Sequence, residues 1–196
     1  MSAPAPRVGR PPGPHDDTLA KLLPAALRLF LSEGGAALTP TRLHKETGVA
    51  RATIYRNWPE PADLIEIMLG RATEQPGHLT YDGDLRTDLH TAVGLLLDRF
   101  EHKPARAFFA ACIEYGRHSE RVASTAESFI DGILSPFRHV IGTAVEDGLV
   151  DGDPDELVIE LTGPLVLEHV VMGRTVSRDR ARRLTDEFVD RHTRAT

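Results

Sequence analysis

The chain has 196 residues, 41% of them hydrophobic, a formal net charge of -6 and one cysteine. That apolar fraction excludes global disorder, and a lone Cys112 excludes both an internal disulfide framework and a thiolate zinc finger. No apolar run approaches the roughly 20 residues of a membrane span. The first residues lack the apolar segment of a secretory signal, so a cytoplasmic protein without a membrane partner is expected.

Residues 1–14 contain SAPAPRVGRPPGP, dense in proline and glycine, and read as a mobile or extended arm with Arg7 and Arg10 and no acid. From His15 a helical stripe begins (Leu19, Leu22, Leu23, Ala26, Leu27, Phe30), with Asp16 or Asp17 as its cap and Gly34-Gly35 as its stop. Pro24 interrupts the stripe and predicts a bend there, or a later start. Thr39-Pro40 reads as an N-cap followed by proline at the first helical position of a short helix that stops at Gly48. A third short helix runs from about Ala50 to Trp58. Pro61 opens a fourth, with Leu64, Ile65, Met68 and Leu69 on its apolar side.

After EQPGHLTYDGD the helices lengthen. They cover Leu85–Glu101, Pro104 to about Arg117, and roughly Glu120–Asp147 with Gly148 as its terminating glycine. Pro154–Gly173 and Ser177–His192 complete the chain. Neither a period-two strand pattern nor an internal repeat is present. The expectation is an all-α fold of about nine helices, with a helix-turn-helix domain over residues 15–72 and a second helical domain over residues 82–196.

The charge is unevenly placed. Residues 1–70 carry eight basic and seven acidic side chains, and the remainder fifteen and twenty-two. Between Thr39 and Asn57 stand Arg42, Lys45, Arg51 and Arg56 against Glu46 alone, so a nucleic-acid footprint, if present, is local and N-terminal. At 100° per residue Ile54 and Trp58 share one face of the third helix, with Ala50 close by. Ala52, Thr53 and Arg56 lie opposite, flanked by Tyr55 and Asn57. An ordinary amphipathic helix with a solvated face would show the same wheel. The short helix, the glycine turn before it and the basic arm favour DNA: arginine suits guanine edges or phosphate, threonine a phosphate or thymine methyl, and the tyrosine hydroxyl a phosphate.

Residues 22–69 resemble the DNA-binding domain of the TetR family of bacterial transcriptional regulators. The resemblance is carried by AALRLF…EGG, GVARATIYRNW and ADLIEIML. Further along, GDLRTDLHTAV and GPLVLEHVVMGRTVS…ARRLTDEFVDR are similar to the ligand-binding and dimerising half of many members. The resemblance implies a base or phosphate contact at Thr41, base-facing positions at Arg51 and Ala52, and phosphate contacts at Thr53 and Tyr55. Asn57 falls where a histidine is frequent. With Thr39, Arg42 and Arg56 these make the expected DNA-binding set. Three positions depart from the family pattern: Ala50 replaces a capping serine, Pro61 a lysine, and His44 a small alanine.

The implied activity is that of a ligand-responsive repressor that binds a palindromic, double-stranded operator as a homodimer and is released by a small-molecule effector. An effector-independent helical dimer, acting as an architectural or protein-binding module, is the alternative. Phe108, Phe109, Cys112, Ile113, Phe129, Ile133 and His169 are candidate effector-pocket residues, although for any single one of them plain core is the commoner role. Leu161, Leu165, Met172, Leu184 and Phe188 are candidates for the dimer interface. The kink expected at Gly163-Pro164 serves either that interface or the monomer core. No H-E-x-x-H, P-loop, Rossmann glycine pattern or G-x-S-x-G occurs and the nine histidines are scattered. An enzyme, a catalytic residue, a metal site or a cofactor is therefore not expected.

Overall fold

The structure, a computed structural model, describes residues 14–73, 81–102 and 105–193; the proposed arm up to residue 13 and the start of the helix assigned to Pro104 lie outside them. Among these residues the fold is all-α. In chain order come α1 (Pro14–Glu33), a single 3₁₀ turn, α2 (Pro40–Thr47), α3 (Arg51–Asn57), α4 (Pro61–Thr73), α5 (Leu85–His102), α6 (Ala105–Gly116), α7 (Glu120–Glu146), α8 (Pro154–Val166) and α9 (Arg178–His192). The only β feature among them is an isolated bridge between Val150 and Thr193. The chain forms two compact units, divided between Leu64 and Ile65 inside α4.

In the first unit α1 packs on α2 and α2 on α3. The predicted stripe of α1 is real: Leu22, Leu23, Ala26 and Phe30 are buried. Two details differ from the expectation. The helix starts at Pro14, which places Asp16 and Asp17 in its first turn, where their charge complements the dipole. It also runs through Pro24. Pro24 is exposed, and burial of Leu22, Leu23, Ala25 and Ala26 on either side outweighs the one backbone bond that proline cannot donate.

The second unit is built around α7, which packs against α5, α6 and α8; α9 packs on α5 and α8. Ser119 caps α7 by accepting from the Val122 N–H, and Gly148 follows it at φ 72° as the C′ glycine. Asp153 caps α8 in the same way, from the N–H groups of Asp155 and Glu156. Asp88 is a buried carboxylate that accepts from the Asp82 and Gly83 N–H groups at 3.0 and 3.1 Å, closing the turn that leads into α5.

The helix expected over 154–173 ends at Val166 and gives way to a π-helical turn over Leu167–Val171. The Met172 N–H donates to the Leu167 carbonyl, one residue beyond the α-helical partner, at 3.0 Å. Pro164 lies one turn upstream and lacks the N–H that would bond Glu160. Gly173 then ends the segment at φ 65°. Thus the irregularity expected at Gly163-Pro164 falls just after it.

Replacing Pro24 by alanine restores the missing donor in an exposed position of α1. The variant should be more stable by about 1–3 kcal/mol, read as a raised thermal midpoint with unchanged helicity. An unchanged or lowered midpoint would show that the proline ring is itself required.

Candidate nucleic-acid interface

Neither α2, with eight residues, nor α3, with seven, is long enough to persist alone in water. Local bonds fix both. Thr39 is extended (φ -88°, ψ 147°) and its hydroxyl accepts from the Arg42 N–H at 3.4 Å, with Pro40 at the first helical position. Gly48 takes the left-handed conformation (φ 71°, ψ 0°) and donates its N–H to the His44 carbonyl at 2.8 Å. That conformation is easy only for glycine, so the turn between α2 and α3 depends on it. Two side chains of α2 add to the turn. The Thr47 hydroxyl donates to the Leu43 carbonyl at 2.6 Å and accepts from the Val49 N–H at 3.2 Å. His44 Nδ1 lies 2.8 Å from the Val49 carbonyl oxygen.

α3 begins at Ala50 without a side-chain cap, and its first turn is held by the Thr53 and Ile54 N–H groups on the Ala50 carbonyl at 2.9 and 3.1 Å. Ile54 is fully buried, and Trp58 nearly so. The opposite face is open: Arg51, Ala52 and Arg56 are exposed, Tyr55 is 65% exposed, and Thr53 and Asn57 are half-buried. Thr41 on α2 is exposed as well. Arg51 and Arg56 have no acidic partner among the described residues. They are cations held out on a helix with no acid among the described residues to neutralise them.

Two members of the predicted set have bonds of their own. Arg42 grips Glu33 through both guanidinium nitrogens, one at 2.6 Å. The Arg42 hydrogen bond holds the Glu33 carboxyl below its ordinary range. Asn57 donates its amide to the Thr53 carbonyl at 2.9 Å, which leaves less of it for an outside partner. His44 and Thr47 were outside the set; the signal available was a bonding side chain one residue and another four residues before a turn glycine.

The other candidate residues lie in the second unit. Phe108, Phe129 and Ile133 are buried, with Phe129 at 5.9 Å from both Phe108 and Phe109 between ring centroids. Phe109, Cys112 and His169 are half-buried and Ile113 is exposed. His169 stacks on Phe100 at 4.2 Å and 6°. Arg99 on α5 is half-buried with no acidic partner among the described residues, and desolvation lowers its pKa. A cavity of about 100 Å³ opens elsewhere, between Tyr81, Asp88, His139 and Ala144.

Leu161, Leu165 and Phe188 are buried within the chain, and Leu184 is half-buried. Exposed apolar side chains stand beside them on α8 and the π turn: Ile159 at 65%, Val171 at 66%, Met172 at 52%, and Leu167. A cavity of about 200 Å³ between α8 and α9 is lined by Leu161, Pro164, Leu184 and Phe188, with Glu160, Glu187 and Arg191 at its edge.

Two short helices joined by a left-handed glycine, the second showing a basic and aromatic face, define a helix-turn-helix protein. Residues 80–188 match the family described as Tetracyclin repressor-like, C-terminal domain, more than half of the chain. The chain belongs to the TetR family of transcriptional regulators. It is 26% identical over 180 residues to an uncharacterised HTH-type transcriptional regulator of Mycobacterium tuberculosis, covering 91% of this chain and 89% of that one. It is also 26% identical over 173 residues to the DNA-binding transcriptional repressor TetR of Mycobacteroides abscessus, covering 87% and 90%. A TetR transcriptional regulator from Agrobacterium tumefaciens has the same fold, with a TM-score of 0.71 at 19% identity over 91% of this chain and 95% of that one. These relatives are described as transcriptional regulators, the one from Mycobacteroides abscessus as DNA-binding. No helix among the described residues is long and apolar enough to cross a membrane.

Burial raises the Cys112 thiol to about 11, so it stays protonated, and poorly nucleophilic, through neutral pH. In the folded protein at pH 8 it should react with a disulfide reagent far more slowly than in denaturant, followed by release of the coloured thiolate. Equal rates would mean that the side chain of Cys112 is open to water.

Proposed function

We propose that the protein is a ligand-responsive repressor that binds a palindromic operator as a homodimer. The reading rests first on one observation: Arg51, Tyr55 and Arg56 project from α3 while Ile54 on its other side is buried. A helix so held offers charge and hydrogen-bond donors to a groove, with Arg51 and Ala52 placed for base edges and Thr53 and Tyr55 for phosphates. Thr39, Thr41, Arg42 and Asn57 flank them. One such helix reads only a few base pairs. A two-fold dimer doubles the site and sets half-sites about 34 Å apart, or a related spacing. In this reading residues 15–72 bind DNA, and residues 82–196 bind the effector and dimerise.

Dimerisation is supported by the apolar side chains that α8 and the π turn leave in water: Ile159, Leu167, Val171 and Met172. Leu161, Leu165 and Phe188 would back that surface from within, and Leu184 would border it. The proposed effector site draws on half-buried Phe109 and Cys112 of α6, the Phe129 ring 5.9 Å from those of Phe108 and Phe109, buried Ile133, and half-buried His169 stacked on Phe100. A ligand there releases DNA only if it binds the non-reading dimer more tightly than the reading one.

Selection of bound duplexes from a random pool at stated salt should enrich an inverted repeat, and affinity for it should fall steeply as salt rises. Arg51→Ala should cost about 1–3 kcal/mol of that binding, and Tyr55→Phe about 1 kcal/mol, with helicity unchanged. Absence of enrichment sinks the dimeric reader. Normal binding by both variants moves the reading face elsewhere. For the dimer, Ile159→Asp with Val171→Asp should convert the sedimenting species to monomer, because both side chains are at the surface and their loss leaves no hole in the fold. A variant that still sediments as a dimer would place the interface on another face.

A further inference from the structure

We propose that His44 is a positioning residue that aims α3, in place of the side-chain cap missing at Ala50. The ring nitrogen Nδ1 lies 2.8 Å from the Val49 carbonyl oxygen. A carbonyl only accepts, so Nδ1 carries the proton, as it does in both the Nδ1–H tautomer and the imidazolium. The Val49 N–H is also taken by α2, through the Thr47 hydroxyl at 3.2 Å. Both backbone polar groups of Val49 are therefore held by side chains of the preceding helix, across the left-handed Gly48.

Val49 is the last residue before Ala50, whose carbonyl accepts the first two bonds of α3. Ala50 makes no side-chain bond of its own. A helix of seven residues with an unbonded cap frays easily at its start. In this chain the restraint comes from one residue earlier, where the chain direction is set before α3 begins. His44 is exposed, so its removal leaves no cavity and the effect is confined to the turn.

The role in DNA reading rests on the function proposed above; the restraint itself does not. The test compares His44→Asn, His44→Gln and His44→Ala. Asparagine carries its amide nitrogen the same two bonds beyond Cβ as Nδ1, whereas glutamine carries it one bond further. Without DNA, amide exchange at Thr53 and Ile54 should be about three- to tenfold faster in the Ala and Gln variants and near wild type in the Asn variant. Affinity for the duplex recovered by wild-type selection should fall by a similar factor in the same two variants and be rescued by asparagine. Circular dichroism and thermal midpoints check that all three fold. Wild-type exchange in the Ala and Gln variants, or an Asn variant that behaves like Ala, overturns the restraint. Faster exchange with unchanged affinity overturns its part in DNA reading. If no duplex is recovered at all, the DNA-reading proposal falls, while exchange still decides the restraint.

Discussion

Burial of Ile54 is what turns seven residues into a presented helix. A segment of this length has too few internal bonds to offset the entropy of ordering its backbone. It persists because one side is taken out of water with Trp58 just beyond its end, worth about 1.5–3 kcal/mol per large apolar side chain. Everything functional on the other side follows from that attachment. Arg51, Tyr55 and Arg56 project outward because Ile54 cannot. The turn between α2 and α3 then sets the direction in which they project.

Charge is used differently in the two units. In the second, several arginines pair with the chain's own acids. Arg86 binds Asp186 and Asp190, Arg138 binds Asp131 and Asp155, Arg178 binds Asp98, and Arg191 with His192 binds Glu160. Most of these pairs are exposed and individually worth little. They nonetheless tie α9 to α5 and α8. In the first unit Arg28 and Arg42 are paired, while Arg51 and Arg56 are not. The overall charge of -6 is compatible with a nucleic-acid partner, since α3 shows two exposed arginines with no acidic partner among the described residues.

Local rules made much of this legible. Thr39-Pro40 read as a cap and is one; Gly48 and Gly148 read as helix stops and both have positive φ; Ala50 read as uncapped and has no side-chain bond. Each is decided within four residues, which is the range over which a cap or a left-handed glycine acts. Of the two readings of Pro24, a later start is excluded: the helix is continuous through it, held by burial of Leu22 and Ala26 against partners elsewhere in the chain. The π turn was missed. A helical wheel assumes an even 100° step and cannot show one residue too many.

The sequence by itself determined the element types, the helix ends around Gly48 and Gly148, and the two-faced character of α3, because propensity, capping and periodicity are local. Only the tertiary structure decided which polar residues remain available. It paired Arg42 with Glu33, turned Asn57 onto Thr53, and joined His44 to Val49. It also buried Leu161, Leu165 and Phe188 while leaving Ile159 and Val171 in water. All of these side chains had the right composition for their expected roles. Which partner each one meets depends on distances between segments, and spacing along the chain does not contain them.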